Sequence, residues 1–393
     1  MLEASNLPLP GAAARDVSDR LSERIRRSIL EEAGPIGFDE YMRMALYEPG
    51  LGYYLGSAIK FGVDGDFITA PELSPLFGAS VARQCFSILE HTGGDILEFG
   101  AGSGFLAAHV LITLDELGVV PGRYMILELN PRMRERQSQV LQELAPHMFG
   151  RVEWLNDLPA SKINGVILAN EIVDALPVKI FRAARNEIYE RRVAQTDGRF
   201  AWSETLAPEG LASAIGARVD PSIIAADNHY VSEINISIEP WVNDLARVMD
   251  NAVALIFDYG FTGADYYSRD RTQGTLMCHF RHRQHDDPFW FPGLQDITAS
   301  VDFTALAEAA DSSGIRVAGF AEQGNFLLAN GLLDDAQRRA ENGDDRTLAR
   351  IAYETKVLTL PSEMGSRFKV LALTKGYNLA LSGFQLRDDR HRL

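Results

Sequence analysis

The feature that most constrains the fold is an alternation of short apolar runs with longer helix-forming stretches, which begins at residue 95. Strands are predicted at residues 96–99, 124–129, 152–155 and 165–169, and helices at 103–117 and 131–144. Strands that alternate with helices of about 10–15 residues are typical of βαβ units. Because such units place their strands side by side in parallel, the pattern predicts an α/β fold with a mostly parallel sheet.

A glycine-rich turn, Gly100-Ala101-Gly102-Ser103-Gly104, joins the first strand to its helix. Glycine permits a positive φ and a close approach of the backbone to a ligand. The dinucleotide-binding spacing would require another glycine at position 105, where this chain has Phe105. Glu98, which closes the strand, disfavours a pyrophosphate and suits the ammonium group of a methionine moiety. The turn therefore predicts S-adenosylmethionine as the cofactor.

Acidic residues also follow the next two predicted strands. Glu128 ends the second strand, where a carboxylate can accept both ribose hydroxyls, and Asp157 follows the third, where it can accept from the adenine amino group. Ligands of open α/β sheets bind at the carboxyl ends of the strands, so the three acids predict a cofactor cleft there. The alternative is that Glu98 caps a helix and Asp157 belongs to a turn.

The fourth strand leads into Asn170-Glu171-Ile172-Val173-Asp174-Ala175-Leu176-Pro177. Methyl transfer is a displacement at a sulfonium methyl, for which an enzyme mainly aligns the nucleophile and manages charge. If the acceptor is a guanidinium, carboxylates are suitable partners because their pairing is directional and bidentate. Glu171 is the first candidate catalytic residue and Asp174 the second. The alternative for Asp174 is a helix cap.

Over nearly its whole length the chain resembles the MidA-like methyltransferases, which include the mitochondrial complex I assembly-factor protein arginine methyltransferase and many bacterial homologues. The resemblance lies in Tyr47-Glu48-Pro49-Gly50, Gly52-Tyr53-Tyr54, Gly65-Asp66-Phe67-Ile68-Thr69-Ala70-Pro71-Glu72, residues 98–104, residues 169–177, Asp258-Tyr259-Gly260, Asp296-Ile297-Thr298 and Val301-Asp302-Phe303. The segments 66–72 and 170–177 are the specific ones, since the glycine turn is shared by the whole methyltransferase class.

The resemblance implies a class I methyltransferase fold: a Rossmann-like, mostly parallel seven-stranded sheet with helices on both faces, an N-terminal helical segment and insertions. It also implies symmetric dimethylation of an arginine on a core subunit of respiratory complex I, so that the partner is a protein substrate. The bacterial members' substrate need not be the mitochondrial one. The oligomeric state is left open, with a homodimer as one option.

The family's functional residues correspond to particular positions of this chain. Those implied for the cofactor are Glu98, Gly100, Gly102, Gly104 and Glu128. Ala101, within the glycine turn, is counted with them as a cofactor-binding residue. Asn170 and Glu171 would face the acceptor, and Asn170 is also counted among the cofactor-binding residues. Thr69 and Glu72 would close over the cofactor.

The length of the chain predicts two or three folding units, or one α/β domain with large insertions. Residues 1–92 form a helical and loop segment over the cofactor site, with helices at 16–32 and 75–90. The Rossmann-like domain comprises residues 93–177 and 246–377, and residues 178–245 are an inserted hairpin and helical subdomain. Closing strands are predicted at 316–320, 325–329 and 367–374, followed by a tail at 378–393.

Composition excludes several classes of function. The net charge of −16, from 38 basic and 54 acidic side chains, argues against nucleic-acid binding, which depends on neutralising phosphates. No apolar run approaches the roughly 20 residues of a membrane span. Two isolated cysteines form no disulfide framework, which indicates a reducing compartment. No long transit peptide is recognised in the sequence, so we expect a cytoplasmic, bacterial protein, with the mitochondrial matrix as the less favoured location.

A cluster at Cys278, His279, His282, His285, Asp286 and Asp287 raises the question of a metal. Arg281 and Arg283 lie between these side chains, and cations disfavour a bound dication, so no metal is expected. The loop is predicted to lie beside the cleft and to contribute a histidine to substrate binding. Two rival functions remain open, an NAD-linked oxidoreductase and an assembly chaperone that holds the cofactor without catalysis.

Overall fold

The structure is a computed structural model that describes residues 7–56, 69–226, 229–341 and 343–393. Its helices are α1 Ala12–Glu31, α2 Phe38–Tyr47, α3 Ala70–Leu73, α4 Pro75–Thr92, α5 Phe105–Glu116, α6 Pro131–Leu144, α7 Glu209–Gly216, α8 Pro221–Ala225, α9 Ile238–Val248, α10 Gly263–Tyr266, α11 Phe303–Ser312, α12 Gln323–Ala329, α13 Leu332–Ala340, α14 Asp345–Thr359 and α15 Met364–Arg367. Among the described residues, no helix combines the length and apolar character needed to cross a membrane.

The strands are β1 Ile36–Gly37, β2 Asp95–Phe99, β3 Tyr124–Leu127, β4 Val152–Leu155, β5 Ile163–Asn170, β6 Lys179–Ala184, β7 Glu187–Thr196, β8 Arg199–Leu206, β9 Tyr230–Ile234, β10 Met249–Phe261, β11 Met277–Phe280, β12 Arg283–His285, β13 Asp296–Thr298, β14 Val301–Asp302, β15 Arg316–Glu322 and β16 Phe368–Lys375. The four strands predicted between residues 95 and 170 are all present, each within three residues of its predicted ends.

The described residues divide into two compact units. The first unit is formed from Met1–Phe67, Asp174–Ile238 and Phe261–Asp302, and the second from Ile68–Val173, Glu239–Gly260 and Phe303–Leu393. The two largest differences between this division and the predicted boundaries concern α4 and residues 261–302. Helix α4 belongs with the second unit because it packs on α5. Residues 261–302 belong with the first unit because Cys278 and Ile297 enter its hydrophobic core.

The second unit contains the sheet that the alternation predicted. Within the described residues, seven strands lie side by side in the order β15-β16-β10-β5-β2-β3-β4. The strands from β10 to β4 pair in parallel, whereas β16 runs antiparallel to β10 and to β15. The prediction of a mostly parallel α/β sheet is therefore confirmed.

Apolar side chains on the central strands form the core of the second unit. Strands β5 and β10 are almost continuously buried, as expected for strands covered on both faces. Phe257 of β10 is fully buried and meets Phe77 of α4 and Phe326 of α12 edge to face, at centroid separations of 5.4 and 5.3 Å. These ring contacts connect β10 to α4, which precedes it in the chain, and to α12, which follows it.

The first unit is built on antiparallel pairing. Its larger sheet has the strand order β1-β7-β6-β9, and β8 pairs with β7. Strands β6, β7 and β8 thus form consecutive hairpins within residues 178–245. A smaller sheet has the order β12-β11-β13. Side chains from α1 and α2 share one hydrophobic core with both sheets.

The predicted strand at residues 325–329 is wrong, because these residues belong to helix α12. Phe326 and Leu327 are fully buried, and α12 packs against α14, α15, β15 and β16. A short helix covered on several sides has a nearly continuous apolar sequence, and such a run does not distinguish a helix from a buried strand.

Replacement of Phe257 by alanine tests the contribution of this core. Removal of a fully buried phenylalanine side chain is expected to cost about 3–5 kcal/mol of unfolding free energy, because transfer and cavity terms add. Calorimetry should show a clear fall in the Tm of the protein. The matched control is Leu386→Ala, whose side chain is 65% exposed and whose loss should leave Tm nearly unchanged. Equal Tm values for the two variants would contradict this account.

Candidate active site

The register of the parallel strands brings the predicted site residues to one edge of the sheet. Phe99 pairs with Leu127 on one side and with Ala169 on the other. Beyond the strand ends, Gly100 N donates to Leu127 O at 3.0 Å and Glu128 N donates to Leu155 O at 3.2 Å. The glycine turn, Glu128, residues 156–157 and Asn170 therefore leave the sheet at the same level, as the sequence predicted.

The glycine turn adopts a conformation that requires glycine. The φ angles are +55° at Gly100, +51° at Gly102 and +92° at Gly104, all in the left-handed region. A Cβ atom on Gly100 would lie 2.9 Å from Ile172 Cδ1, and one on Gly104 would lie 3.1 Å from Gln137 Cα. The turn thus presents bare backbone directly before the N-terminus of α5, a position suited to the anionic group of a ligand.

Glu98 is a buried carboxylate beneath this turn. Its side chain is 2% exposed, and Tyr124 Oη donates to its Oε2 at 2.8 Å. Burial raises the pKa of Glu98 to about 7, and the hydrogen bond from Tyr124 partly opposes that shift. A nearby ammonium group would favour the ionised form. These properties fit the predicted role toward the methionine ammonium group, which stays a prediction.

Glu128 is held in place by two donors. Asn130 N donates to its Oε1 at 2.8 Å and Gln137 Nε2 to its Oε2 at 3.0 Å. Burial raises its pKa, while these two hydrogen bonds and the charge of Arg134 lower it. A carboxylate oxygen has two acceptor positions, so a carboxylate held in this way still has acceptor capacity for ribose hydroxyls. The arrangement fits the predicted ribose contact.

Gln137 is a positioning residue that the sequence analysis missed. It is fully buried on α6 and donates both to Glu128 and to Gly102 O, the latter at 3.0 Å. Its own Oε1 accepts from Trp154 Nε1 at 2.8 Å. Gln137 therefore ties the glycine turn, the end of β3 and strand β4 together. The sequence offered one signal of this role: Gln137 lies one helical turn before Leu141, so a polar side chain is placed on the apolar face of α6.

Residues at the end of β4 are exposed. The Asn156 side chain accepts from Arg134 Nη2 at 2.7 Å, and the same nitrogen donates to Leu155 O at 2.7 Å. Asp157 follows at the surface of the sheet edge. Its exposure is compatible with contact to an adenine amino group, and that role stays a prediction.

The chain leaving β5 is strained at Glu171. This residue has a φ of +53°, although it is not glycine, and such a conformation costs about 1–3 kcal/mol. Its backbone N–H donates to Phe257 O at 2.8 Å, and Asn170 Nδ2 donates to its Oε1 at 3.2 Å. Strain of this kind is concentrated at functional sites, which supports Glu171 as a candidate catalytic residue.

Asp258 fixes the loop that follows Glu171. Its side chain is fully buried at the end of β10, where Oδ2 accepts from Val173 N at 3.0 Å and Oδ1 from Tyr259 N at 2.9 Å. Asp258 belongs to a segment that resembles the family but has no predicted role. Its hydrogen bond to Val173 N joins the segment after β5 to β10.

The remaining predicted site residues are divided between the units. Asp174 belongs to the first unit, is 5% exposed, and its carbonyl accepts from Ala299 N at 3.0 Å. Thr69 and Glu72 belong to the second unit, where Thr69 directly precedes helix α3 and Glu72 lies within it. The rest of the 65–72 segment, residues 65–68, lies outside the described residues. The roles of Thr69, Glu72 and Asp174 stay predictions.

The histidine-rich segment is a hairpin of β11 and β12. Cys278 and His285 pair across it and are fully buried, which raises the pKa of Cys278 and lowers that of His285. His282 lies in the exposed turn at a φ of +60°. In the part of the chain that the structure describes, no three metal-ligating side chains are gathered into a metal-binding group.

A sheet with this strand order, a left-handed glycine turn after its first strand and a carboxylate after the next strand define a class I S-adenosylmethionine-dependent methyltransferase. Residues 80–321 match the family model described as "Putative S-adenosyl-L-methionine-dependent methyltransferase". The chain belongs to this family, and the resemblance to the MidA-like methyltransferases is confirmed.

Similar proteins agree with this assignment. The chain is 30% identical to the mitochondrial protein arginine methyltransferase NDUFAF7 homolog of Drosophila melanogaster, over 94% of this chain and 88% of that protein. Identity to the mitochondrial protein arginine methyltransferase NDUFAF7 of Danio rerio is 29%, over 91% and 90%. A Burkholderia thailandensis protein crystallised with S-adenosyl-homocysteine matches with a TM-score of 0.94 and 39% identity, over 99% of this chain and 100% of that one. The cofactor is thus S-adenosylmethionine, and the NAD-linked alternative is set aside.

Substitution of Gly100 by alanine tests the role of the glycine turn. The added methyl group would press on Ile172 and occupy backbone surface needed by the ligand, so affinity for S-adenosyl-homocysteine should fall at least tenfold in calorimetric titration. Gly118→Ala is the matched control. Gly118 also has a positive φ, +78°, but its Cβ would meet open space. A similar loss of affinity in both variants would show that strain alone is responsible.

The buried Glu98 carboxylate predicts a pH-dependent stability difference. Its folded pKa of about 7 exceeds its ordinary value, so the folded protein binds the extra proton and loses stability as pH rises from about 4.5 to 7. At pH 8, Glu98→Gln should therefore raise the free energy of unfolding of the ligand-free protein by on the order of 2–3 kcal/mol, and its Tm should rise accordingly. At pH 4.5 the substitution should change both quantities little. Exposed Glu153→Gln should show no such difference. A Glu98→Gln gain that is independent of pH would contradict the assignment.

Proposed function

We propose that this methyltransferase acts on arginine side chains of proteins, including a subunit of respiratory complex I or a similar protein. The observation that carries the proposal is the position of Glu171, directly after β5, where its backbone has a left-handed conformation. The next residue, Ile172, lies against Gly100 of the glycine turn. The names of the Drosophila and Danio relatives as protein arginine methyltransferases support the same acceptor.

The site residues supply alignment and charge control. S-adenosylmethionine, when bound, supplies an electrophilic methyl group on sulfur. Glu171 would accept hydrogen bonds from a guanidinium and orient one of its nitrogens toward that methyl group. It would receive the proton that the nitrogen loses once the N–C bond has formed and the methyl–sulfur bond has broken, with S-adenosyl-homocysteine as the leaving group. Asn170 limits the movement of Glu171 through its hydrogen bond to Oε1. Asp258 holds the loop in which Glu171 lies through Val173.

The finer predictions follow from the family. Symmetric dimethylation and action during complex I assembly are properties expected by resemblance, and the cytoplasmic location stays a prediction. The chaperone hypothesis shares the cofactor site but requires no acceptor chemistry, so Glu171 separates the two. Strain at Glu171 favours catalysis, since a protein that only binds the cofactor gains nothing from a strained carboxylate at this point.

Replacement of Glu171 by glutamine is the direct test. The variant keeps the shape of the side chain but cannot accept a proton, so methyl transfer to arginine should fall roughly 10²- to 10⁴-fold while S-adenosyl-homocysteine affinity changes less than threefold. Activity is measured by mass spectrometry of arginine methylation in extract from cells that lack the protein, after addition of purified enzyme and S-adenosylmethionine.

The matched control for this assay is Glu135→Gln, an exposed acid on α6, which should methylate as the wild type does. Full activity of Glu171→Gln would remove Glu171 from the mechanism. If wild-type protein methylates no arginine and Glu171→Gln supports normal growth with intact cofactor binding, the chaperone hypothesis is correct.

A further inference from the structure

The first unit carries a polar face on its smaller sheet. Asp296 and Thr298 alternate along β13, so their side chains lie on the same face of the strand. The antiparallel pairing of β11 places His279 opposite Asp296 on this face. On the other face, Cys278 and Ile297 are fully buried in the hydrophobic core.

Two tyrosines of the Tyr47–Tyr54 segment complete this face. Tyr54 Oη donates to Asp296 Oδ1 at 2.9 Å, and the Tyr47 and Tyr54 rings stack at a centroid separation of 5.5 Å and an interplanar angle of 25°. Tyr47 Oη donates to Ala175 O at 3.0 Å, directly after Asp174. We call Tyr47, Tyr54, Asp174, Asp296, Thr298 and His279 the Tyr–Asp cluster.

The Tyr–Asp cluster concentrates negative charge next to aromatic rings. Asp174 is 5% and Asp296 3% exposed, and both charges act on the tyrosines. Burial raises the pKa of Tyr47, and Asp174 and Asp296 raise it further; the pKa of Tyr54 rises for the same reasons. Carboxylates removed from water favour a cation beside them, and aromatic faces attract the same cation.

Thr298 indicates a ligand independently of the charges. The residue is 2% exposed, and its Oγ1 has no hydrogen-bond partner among the described residues. A buried hydroxyl without a partner destabilises the folded protein, and a ligand that supplies a donor removes this cost. An acceptor on the same strand face as Asp296 suits a ligand with several N–H groups.

We propose that the Tyr–Asp cluster of the first unit is a guanidinium-binding site for an arginine side chain of the protein substrate, an inference that rests on the proposed function. A guanidinium is planar, carries five N–H donors, pairs bidentately with carboxylates and stacks on aromatic rings. Asp174 and Asp296 would pair with it, Thr298 Oγ1 would accept one N–H, and the partly exposed rings of Tyr47 and Tyr54 would stack against it. An ammonium would use these groups less fully, so the site selects arginine over lysine.

The test uses the full chain saturated with S-adenosyl-homocysteine and the peptide acetyl-Gly-Gly-Arg-Gly-Gly-amide, with its neutral citrulline counterpart. Calorimetry should show the arginine peptide binding at least tenfold more tightly than the citrulline peptide. Asp296→Asn should weaken arginine binding at least tenfold. The matched control is Asp270→Asn, an exposed aspartate of the same unit, which should bind as the wild type does.

The variant Thr298→Val distinguishes loss of binding from loss of folding. It removes a hydroxyl without a partner among the described residues, so Tm should not fall, while arginine binding should weaken about fivefold or more. The site is overturned if the wild type binds neither peptide or both equally, or if Asp296→Asn and Thr298→Val both bind as the wild type does. Failure of the proposed function has a different signature, since cellular arginine methylation would then not depend on the protein at all.

Discussion

The arrangement of the cofactor site depends on the register of β2 with its parallel neighbours. Phe99 is paired with Leu127 and with Ala169, so the chain segments that leave the three strands begin at the same height. A slip of one residue would turn every side chain of β2, including that of Glu98, to the opposite face of the sheet. The glycine turn, Glu128 and Glu171 lie at one edge of the sheet because buried apolar side chains on both faces fix this register.

Several residues of the candidate site have conformations or burial that destabilise the folded protein. Glu171 has a left-handed backbone, Glu98 is a carboxylate inside the protein, and Glu128 is partly desolvated. Each costs free energy that the surrounding core must offset. Asp258 and Gln137 limit that cost by donating or accepting the hydrogen bonds that hold the turn and the loop in place. Departures from local preference that coincide at one edge of one sheet are expected of a functional site.

The sequence was sufficient for the parallel strands, the glycine turn and the acids that follow the strands, because hydrophobic period and turn chemistry are local properties. It was not sufficient for Gln137 or Asp258, whose roles arise from hydrogen bonds between segments distant in the chain. Helix α12 was misread because its burial is set by neighbouring elements. The face shared by Asp296, Thr298 and Tyr54 depends equally on tertiary pairing, since 242 positions separate Tyr54 from Asp296.

We infer that the carboxyl edge of the second unit's sheet binds S-adenosylmethionine. Hydrogen–deuterium exchange of the full chain, with and without saturating S-adenosyl-homocysteine, can locate the bound ligand. Backbone amides in residues 99–105, in the segment after Glu128 and in residues 170–173 should exchange more slowly when the ligand is bound. Protection confined to other elements, such as α13 and α14, or no protection under conditions where calorimetry shows binding, would contradict it.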